Sequence, residues 1–293
     1  LTAGIPFAIG VYATALLYNV LAVAPQVTLT ANGDPNSTMD GPVTLTNGQG
    51  TLNSTYYKYA TTHTITPSTN APGTYTSVPN STLFTINAKP AVQTIAVLPG
   101  QTYTWGLPSQ SYAAAVTGAA LQQTAGTPFT VTTRAVDMYF NTVPSFVSAG
   151  TTVALSMSDA TAVAPAQDFA AGIATFSVTN KIGTTTGLAV NPPHNMTVLA
   201  PSLVTLTTHN TSGSFTVIPN SGSKAIAFVS PSQTVNPGLA TITGTIPTQT
   251  VGVPFTVTAY AVDNYYNVEP DSATAVTITS SDGAALTSGS NLF

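Results

Sequence analysis

Short runs in which apolar and polar residues alternate at every second position dominate the chain, and no long segment carries apolar residues at helical spacing. In the middle third, VQTIAVL, PFTVTTRAV, TVALSM, IATFSVTN, TGLAV and GSFTVI are rich in β-branched residues and separated by Gly, Pro, Asn or Asp. In PFTVTTRAV, Phe129, Val131, Thr133 and Ala135 fall on one side of an extended strand. Thr130, Thr132, Arg134 and Val136 fall on the other. One set is expected inside and the other toward solvent or a neighbour. Six or seven such strands in about 130 residues predict a two-sheet sandwich with Greek-key connections.

The pattern is also tandem. TAGTPFTVTTRAVDMYFN at 124–141 returns as TVGVPFTVTAYAVDNYYN at 250–267 and, more worn, as TAGIPFAIGVYATALLYN at 2–19, at intervals of 126 and 122 residues. FTINAKPAVQTIAVLPGQT at 84–102 matches FTVIPNSGSKAIAFVSPSQT at 215–234 in its Phe-Thr opening and Gln-Thr ending. Periods this long mean domains rather than solenoid coils. The division that follows is 1–87, a sandwich lacking its first strand; 88–218, a complete one; and 219–293, one that stops partway. Open edges in such units invite strand addition from another chain. The central unit carries a longer connector, WGLPSQSYAAAVTGAAL. Within the frame, Gly126 is expected to turn the chain, Pro128 to sit where no ladder donor is needed, and Phe129 to plug the core. Asp137 and Asn141 would close the turn that follows.

The three segments that open TxGxPF and close on Asn resemble the opening strands of bacterial immunoglobulin-like repeats, found in tandem in secreted and surface proteins such as invasin-like adhesins. The resemblance implies an extracellular structural role without identifying a partner. The reading adopted on these residues is a stalk, filament or surface-coat unit whose partners are further copies of itself; the alternative is an adhesin that binds glycans or a cell-surface partner through aromatic loops.

Composition sharpens this picture. Charged residues are 5% of the chain, against roughly 25% in an average soluble domain. A folded surface made mainly of Thr, Ser, Asn and Gln calls for protection by assembly, by glycans or by both. Arg134 is the only arginine and the formal net charge is -4, which disfavours nucleic acid. With no cysteine there are neither disulfides nor thiolate metal sites. Residues 1–25 carry no charge and match a membrane span in length, yet Pro6, Gly10, Thr14 and Asn19 punctuate them. Their alignment with the later copies predicts a buried strand pair instead. The absence of an initiator Met or a basic leader makes the chain read as a mature product or an internal segment.

No reaction chemistry stands out. His63, His194 and His209 are isolated, no GxSxG elbow is present, and no catalytic residue or cofactor is expected. The one dense acidic group, AVDNYYNVEPD, reads first as turn and solubility residues. Asp263, Asn267, Glu269 and Asp271 form the weak alternative of a calcium site, against which Ala15 stands where the later copies have Asp. Asn36, Asn53, Asn80, Asn195 and Asn210 open N-x-S/T sequons and are candidate glycosylation sites, although chance alone gives about five. Two aromatic patches are candidate partner surfaces: Tyr103, Trp105 and Tyr112 in the long connector, and Tyr56, Tyr57 and Tyr59 in NSTYYKYATTH. Packing between adjacent domains or subunits is the competing role for both.

Overall fold

The computed structural model describes residues 1–293 apart from 72–74, 76–78, 109, 149–152, 185–191, 200–205, 207, 222–224, 271–274, 284–290 and 293. The chain is all-β, with successive β-sandwich modules, and helix among the described residues is confined to Tyr112–Ala115. Three apolar cores follow one another along it. The first gathers Val27, Leu29, Leu45, Leu52, Tyr57 and Ile86; the second Val131, Leu155, Phe169, Phe176, Val198 and Val217; the third Ala227, Val229, Val235 and Val262.

The central module has the fullest sheets. Its middle strand, Phe129–Val136, pairs antiparallel with Ile173–Val178 on one side and with Gln93–Val97 on the other. Thr208–His209 extends the sheet parallel to Gln93–Val97. Ala154–Met157 and Met196–Leu199 form a second sheet, whose Leu155, Met196 and Val198 meet Val131, Ala135, Phe176 and Val178 of the first. Alternation on Phe129–Val136 therefore works as expected on its inner side, with Val131, Thr133 and Ala135 buried. The outer side departs from expectation, because Val136 is also buried, beside Ile95, Ala115, Val116 and Phe140. The cause is the long connector, which folds over the outer face with Tyr103, Leu107 and Tyr112 packed against that cluster.

The flanking modules use the same strands with fewer partners. In the first, Phe7–Tyr12 pairs, among the described residues, with Gln49–Thr55 alone, while Gln26–Asn32 lies between Val43–Thr44 and Thr62–Thr69. Residues 1–25 thus form strand and turn, and no helix among the described residues is long and apolar enough to cross a membrane. They are less buried than their composition predicts: Leu16, Leu17 and Tyr18 are 95%, 81% and 80% exposed. Their counterpart Phe140 is fully buried because Gln93–Val97 and the connector cover it, whereas nothing among the described residues covers the corresponding side of the first module. In the third module Ala225–Val229 pairs with Thr258–Val262, and Thr234–Asn236 with Thr241–Thr243.

One buried residue breaks the polar accounting. Asn180 is 1% exposed, and neither its Nδ2 nor its Oδ1 has a hydrogen-bond partner. Its carbonyl accepts the Gly126 N–H just as the Tyr57 carbonyl accepts that of Gly4, so Tyr57 is its counterpart in the first module. There the ring fills the space, 4.5 Å from His63 and 5.5 Å from Phe84 between centroids. Because a buried amide without partners carries its full desolvation cost, Asn180→Leu is expected to stabilise the protein by about 1 kcal/mol. Urea unfolding measures this, and a loss of stability would mean that the amide is satisfied.

Candidate functional site

The most elaborate polar chemistry lies between modules, and it is built twice. After Phe129–Val136 the chain turns through Asp137, Met138, Tyr139, Phe140 and Asn141, with Phe140 at φ 62°. Asp137 Oδ1 accepts the backbone N–H groups of Tyr139 and Asn141 at 2.8 and 2.9 Å, and Oδ2 accepts that of Lys89 at 3.0 Å. The turn aims Asn141, 1% exposed, into the preceding module. There its Nδ2 donates to the Lys58 carbonyl at 2.8 Å and its Oδ1 accepts the Ala60 N–H at 2.9 Å. The third module repeats each bond. Asp263 Oδ1 accepts from Tyr265 and Asn267 at 2.8 and 3.0 Å, and Oδ2 accepts from Asn220 at 3.0 Å. Asn267 Nδ2 donates to the Lys181 carbonyl at 2.8 Å and Oδ1 accepts from Gly183 at 2.7 Å.

The receiving loops are equally matched. Asp34 Oδ2 accepts from Lys58 and Tyr59 at 2.6 and 2.9 Å; Asp159 Oδ2 accepts from Lys181 and Ile182 at 2.8 and 3.0 Å. Buried His63 and His194 brace the same loops, with Nε2 at 2.7 Å from the Tyr59 carbonyl and 2.8 Å from that of Ile182. These histidines looked isolated in the sequence, but they stand 131 residues apart, the interval that also separates Phe84 from Phe215. That shared offset was the signal for them, as the Asp34 and Asp159 pair was for the loops.

The recurring glycine belongs to this junction. Gly126 and Gly4 do turn the chain, at φ 75° and 67°. A Cβ on Gly4 would lie 2.1 Å from the Tyr139 hydroxyl, and one on Gly126 would lie 2.3 Å from Tyr265 Cε2. Tyr139 and Tyr265 each pack against the core of the module before their own. The TxGxPF frame thus both starts a strand and receives the next module's tyrosine.

An aromatic cleft adjoins the first junction. Asn36, Tyr59, Tyr103, Thr104, Trp105 and Gly106 are among the residues lining a cleft of about 270 Å³. Tyr103 stacks on Trp105 with centroids 5.4 Å apart, and Tyr59 from the first module also lies 5.4 Å from Trp105. The Arg134 guanidinium also lies over the Tyr103 ring, 4.6 Å from its centroid. Burial pushes the Tyr103 phenol up to about 12, outweighing its bond to Thr142 and the Arg134 charge. Trp105 is 40% exposed. The remaining candidates are dispersed. Tyr57 is wholly inside the first core, Tyr112 donates to the Ala96 carbonyl within the central module, and Tyr56 is half-buried with Lys58 Nζ 5.6 Å from its ring centre.

Among the sequons, Asn53, Asn80 and Asn195 are exposed. Asn36 Nδ2 instead donates across the junction to the Gly106 carbonyl at 3.0 Å, and Asn210 Nδ2 donates to Gln93 Oε1 at 3.0 Å. Of the calcium candidates, Asp263 and Asn267 are committed to the junction as described, Glu269 is buried nearby, and Asp271 lies outside the described residues. The described residues contain no group of three or more His, Asp or Glu placed to hold a metal ion.

No family model and no curated protein matches the chain. Among solved structures, it is similar to the D0-D1 domain of intimin at 11% identity and TM-score 0.23, covering 72% of this chain and 90% of that one. It is similar to the Yersinia pseudotuberculosis adhesin InvE at 11% identity and TM-score 0.29, covering 78% and 61%, respectively. Invasin, a bacterial integrin-binding protein, gives 11% identity and TM-score 0.32, with coverage of 87% and 55%.

Two predictions separate junction from module. Gly252 has φ 77° but a Cβ there would meet nothing within 4 Å, so Gly252→Ala should cost only the backbone term, about 1–2 kcal/mol. Gly126→Ala adds displacement of Tyr265 and should cost clearly more in urea unfolding; equal costs would remove the tyrosine from the account. The second concerns acid. Burial raises the Asp159 carboxyl, but four hydrogen bonds, from Ile182, Thr161 and Lys181, outweigh it and hold the group below its usual range. A depressed folded-state value stabilises the fold above the ordinary carboxylate pKa, and that contribution disappears as pH falls through the folded value. Asp159→Asn should therefore cost about 1–2 kcal/mol near pH 7 and much less near pH 2. Asp137 has the opposite sign, because burial outweighs its bonds from Asn141, Lys89 and Tyr139 and raises it.

Proposed function

We propose that the protein is a non-enzymatic structural protein of the cell surface, a stalk, filament or coat unit whose modules are locked end to end and whose chains associate with one another. The observation that carries this reading is the doubled clasp, in which a buried asparagine from each later module satisfies a carbonyl and an N–H of the one before it. A linker meant to flex would leave those backbone groups to water; here they are closed off by amide side chains that the neighbouring Asp137 and Asp263 carboxylates also hold, at 3.0 and 2.9 Å. A segment built this way transmits position along its length, which suits a spacer. The low charge of its surface favours contact with copies of itself. The exposed sequons Asn53, Asn80 and Asn195 would be the places for surface glycans. Small-angle X-ray scattering should give an elongated, stiff particle whose profile flexes when Asn141 and Asn267 are both changed to Ala. A wild-type profile as flexible as the variant's would reject the reading.

A second reading rests on the aromatic cleft. Trp105 and Tyr59 come from different modules, and Trp105 is 40% exposed beside Asn36 and Thr104, a composition that suits stacking on a sugar ring. Under this reading, glycan-array binding is lost in Trp105→Ala with no change in thermal midpoint, and absence of any wild-type glycan binding sinks it.

A further inference from the structure

Each backbone polar group around Tyr59 has a partner, and the partners come from both modules. Asn141 of the central module takes the Lys58 carbonyl and the Ala60 N–H, the groups on either side of Tyr59. The Tyr59 N–H donates to Asp34 Oδ2 at 2.9 Å, and His63 Nε2 lies 2.7 Å from the Tyr59 carbonyl. The ring fixed in this way meets Trp105, which the connector of the central module supplies. A Cβ on Gly106 would lie 2.9 Å from Tyr59 Cα, so the connector backbone sits directly against the residue. The aromatic cleft therefore has a wall from each module, and the clasp sets the spacing between the two.

The second junction uses the same scaffold for a different residue. Asn267 takes the Lys181 carbonyl and the Gly183 N–H, Asp159 accepts the Ile182 N–H, and His194 approaches the Ile182 carbonyl, so Ile182 stands where Tyr59 does. A Cβ on Gly238 would lie 2.5 Å from Ile182 Cγ1, which repeats the Gly106 contact. The stretch 235–249, which follows its Gln-Thr as the connector follows Thr102, contains no aromatic residue. Isoleucine thus meets the structural needs of the place. Tyr59 and the Trp105 opposite it are additions that holding two modules together does not explain.

We infer that the first junction binds one uncharged sugar ring between its two modules, so that filling the cleft and closing the clasp are coupled. The inference rests on the carbohydrate reading above and adds the class of sugar and its control by the joint. A cleft of about 270 Å³ falls below the roughly 300–1,000 Å³ of sites for drug-sized ligands and has room for a single ring of a longer chain. Trp105 offers the apolar surface, and Thr104 and Asn36 offer a hydroxyl and an amide beside it. Among the described lining residues Asp34 is the one carboxylate and none is Lys or Arg; Arg134 is engaged with the Tyr103 ring and with Thr142 Oγ1 at 3.2 Å. A sugar that carries a carboxylate would meet the Asp34 charge with no cation at the wall to offset it. A ligand touching both walls binds the closed joint better than the open one, and by reciprocity whatever opens the joint weakens the ligand.

Trp105 is the only tryptophan, so its fluorescence reads the cleft directly. The full chain is titrated with neutral hexose and N-acetylhexosamine oligosaccharides and with their sialylated and uronic-acid counterparts. The neutral sugars should bind at least about tenfold more tightly than the acidic ones. Asn141→Ala should weaken the best neutral sugar at least about fivefold. Gly4→Ala, which pushes Tyr139 out of the same joint and leaves the clasp residues in place, should act likewise. Asn267→Ala, at the second junction, should leave the affinity unchanged, and circular dichroism checks that each variant is folded. Tyr59→Ile should abolish binding while keeping the wild-type scattering profile. Equal affinity in wild type, Asn141→Ala and Gly4→Ala would overturn the coupling and leave the carbohydrate reading standing. Tighter binding of the acidic sugars would overturn the ligand class, and no binding of any sugar would remove the reading and the inference together.

Discussion

A buried primary amide can satisfy one carbonyl and one N–H at once, and this chain uses that property to fix each module to the last. Asn141 and Asn267 reach the same two backbone groups in successive receiving loops, each positioned by an Asp four residues earlier that accepts the N–H groups of its own turn. The rest of the junction follows from having to bring the turn that close. Glycine must face the incoming tyrosine, because any side chain there would overlap it. The receiving loop must be held from behind, which Asp34 and His63 do in one module and Asp159 and His194 in the next.

The scarcity of charge looks different in this light. Of nine acidic residues, Asp34, Asp137, Asp159 and Asp263 are buried at the two junctions. Lys89 and Lys181 lie over the rings of Tyr139 and Tyr265, beside the same turns. Much of the little charge the chain has is therefore structural, and the surface between junctions is left to hydroxyl and amide side chains.

Much of the fold was legible in period-two alternation and in the thrice-used frame, since both record constraints that every sandwich must meet locally. The Asp-to-Asn turn was legible too, as a turn. Its reach into the neighbouring module was not, because the carbonyl of Lys58 and the N–H of Ala60 are backbone groups and leave no trace in residue type. Tyr57 shows the converse: it shares an aromatic run with Tyr59 at a spacing that would put both on one face of a strand, yet the strand Gln49–Thr55 has ended before them, and Tyr57 enters the core while Tyr59 lies against Trp105. The covering of Val136 was hidden because the connector is an irregular insertion with no periodicity of its own.

Spin labels placed by cysteine substitution at exposed Thr51 in the first module and exposed Thr175 in the central one report the junction by pulsed dipolar spectroscopy. A single narrow distance distribution that broadens when Asn141 becomes Ala is the result expected of an amide-locked joint. A distribution already broad with Asn141 in place, and unchanged by its loss, would contradict it.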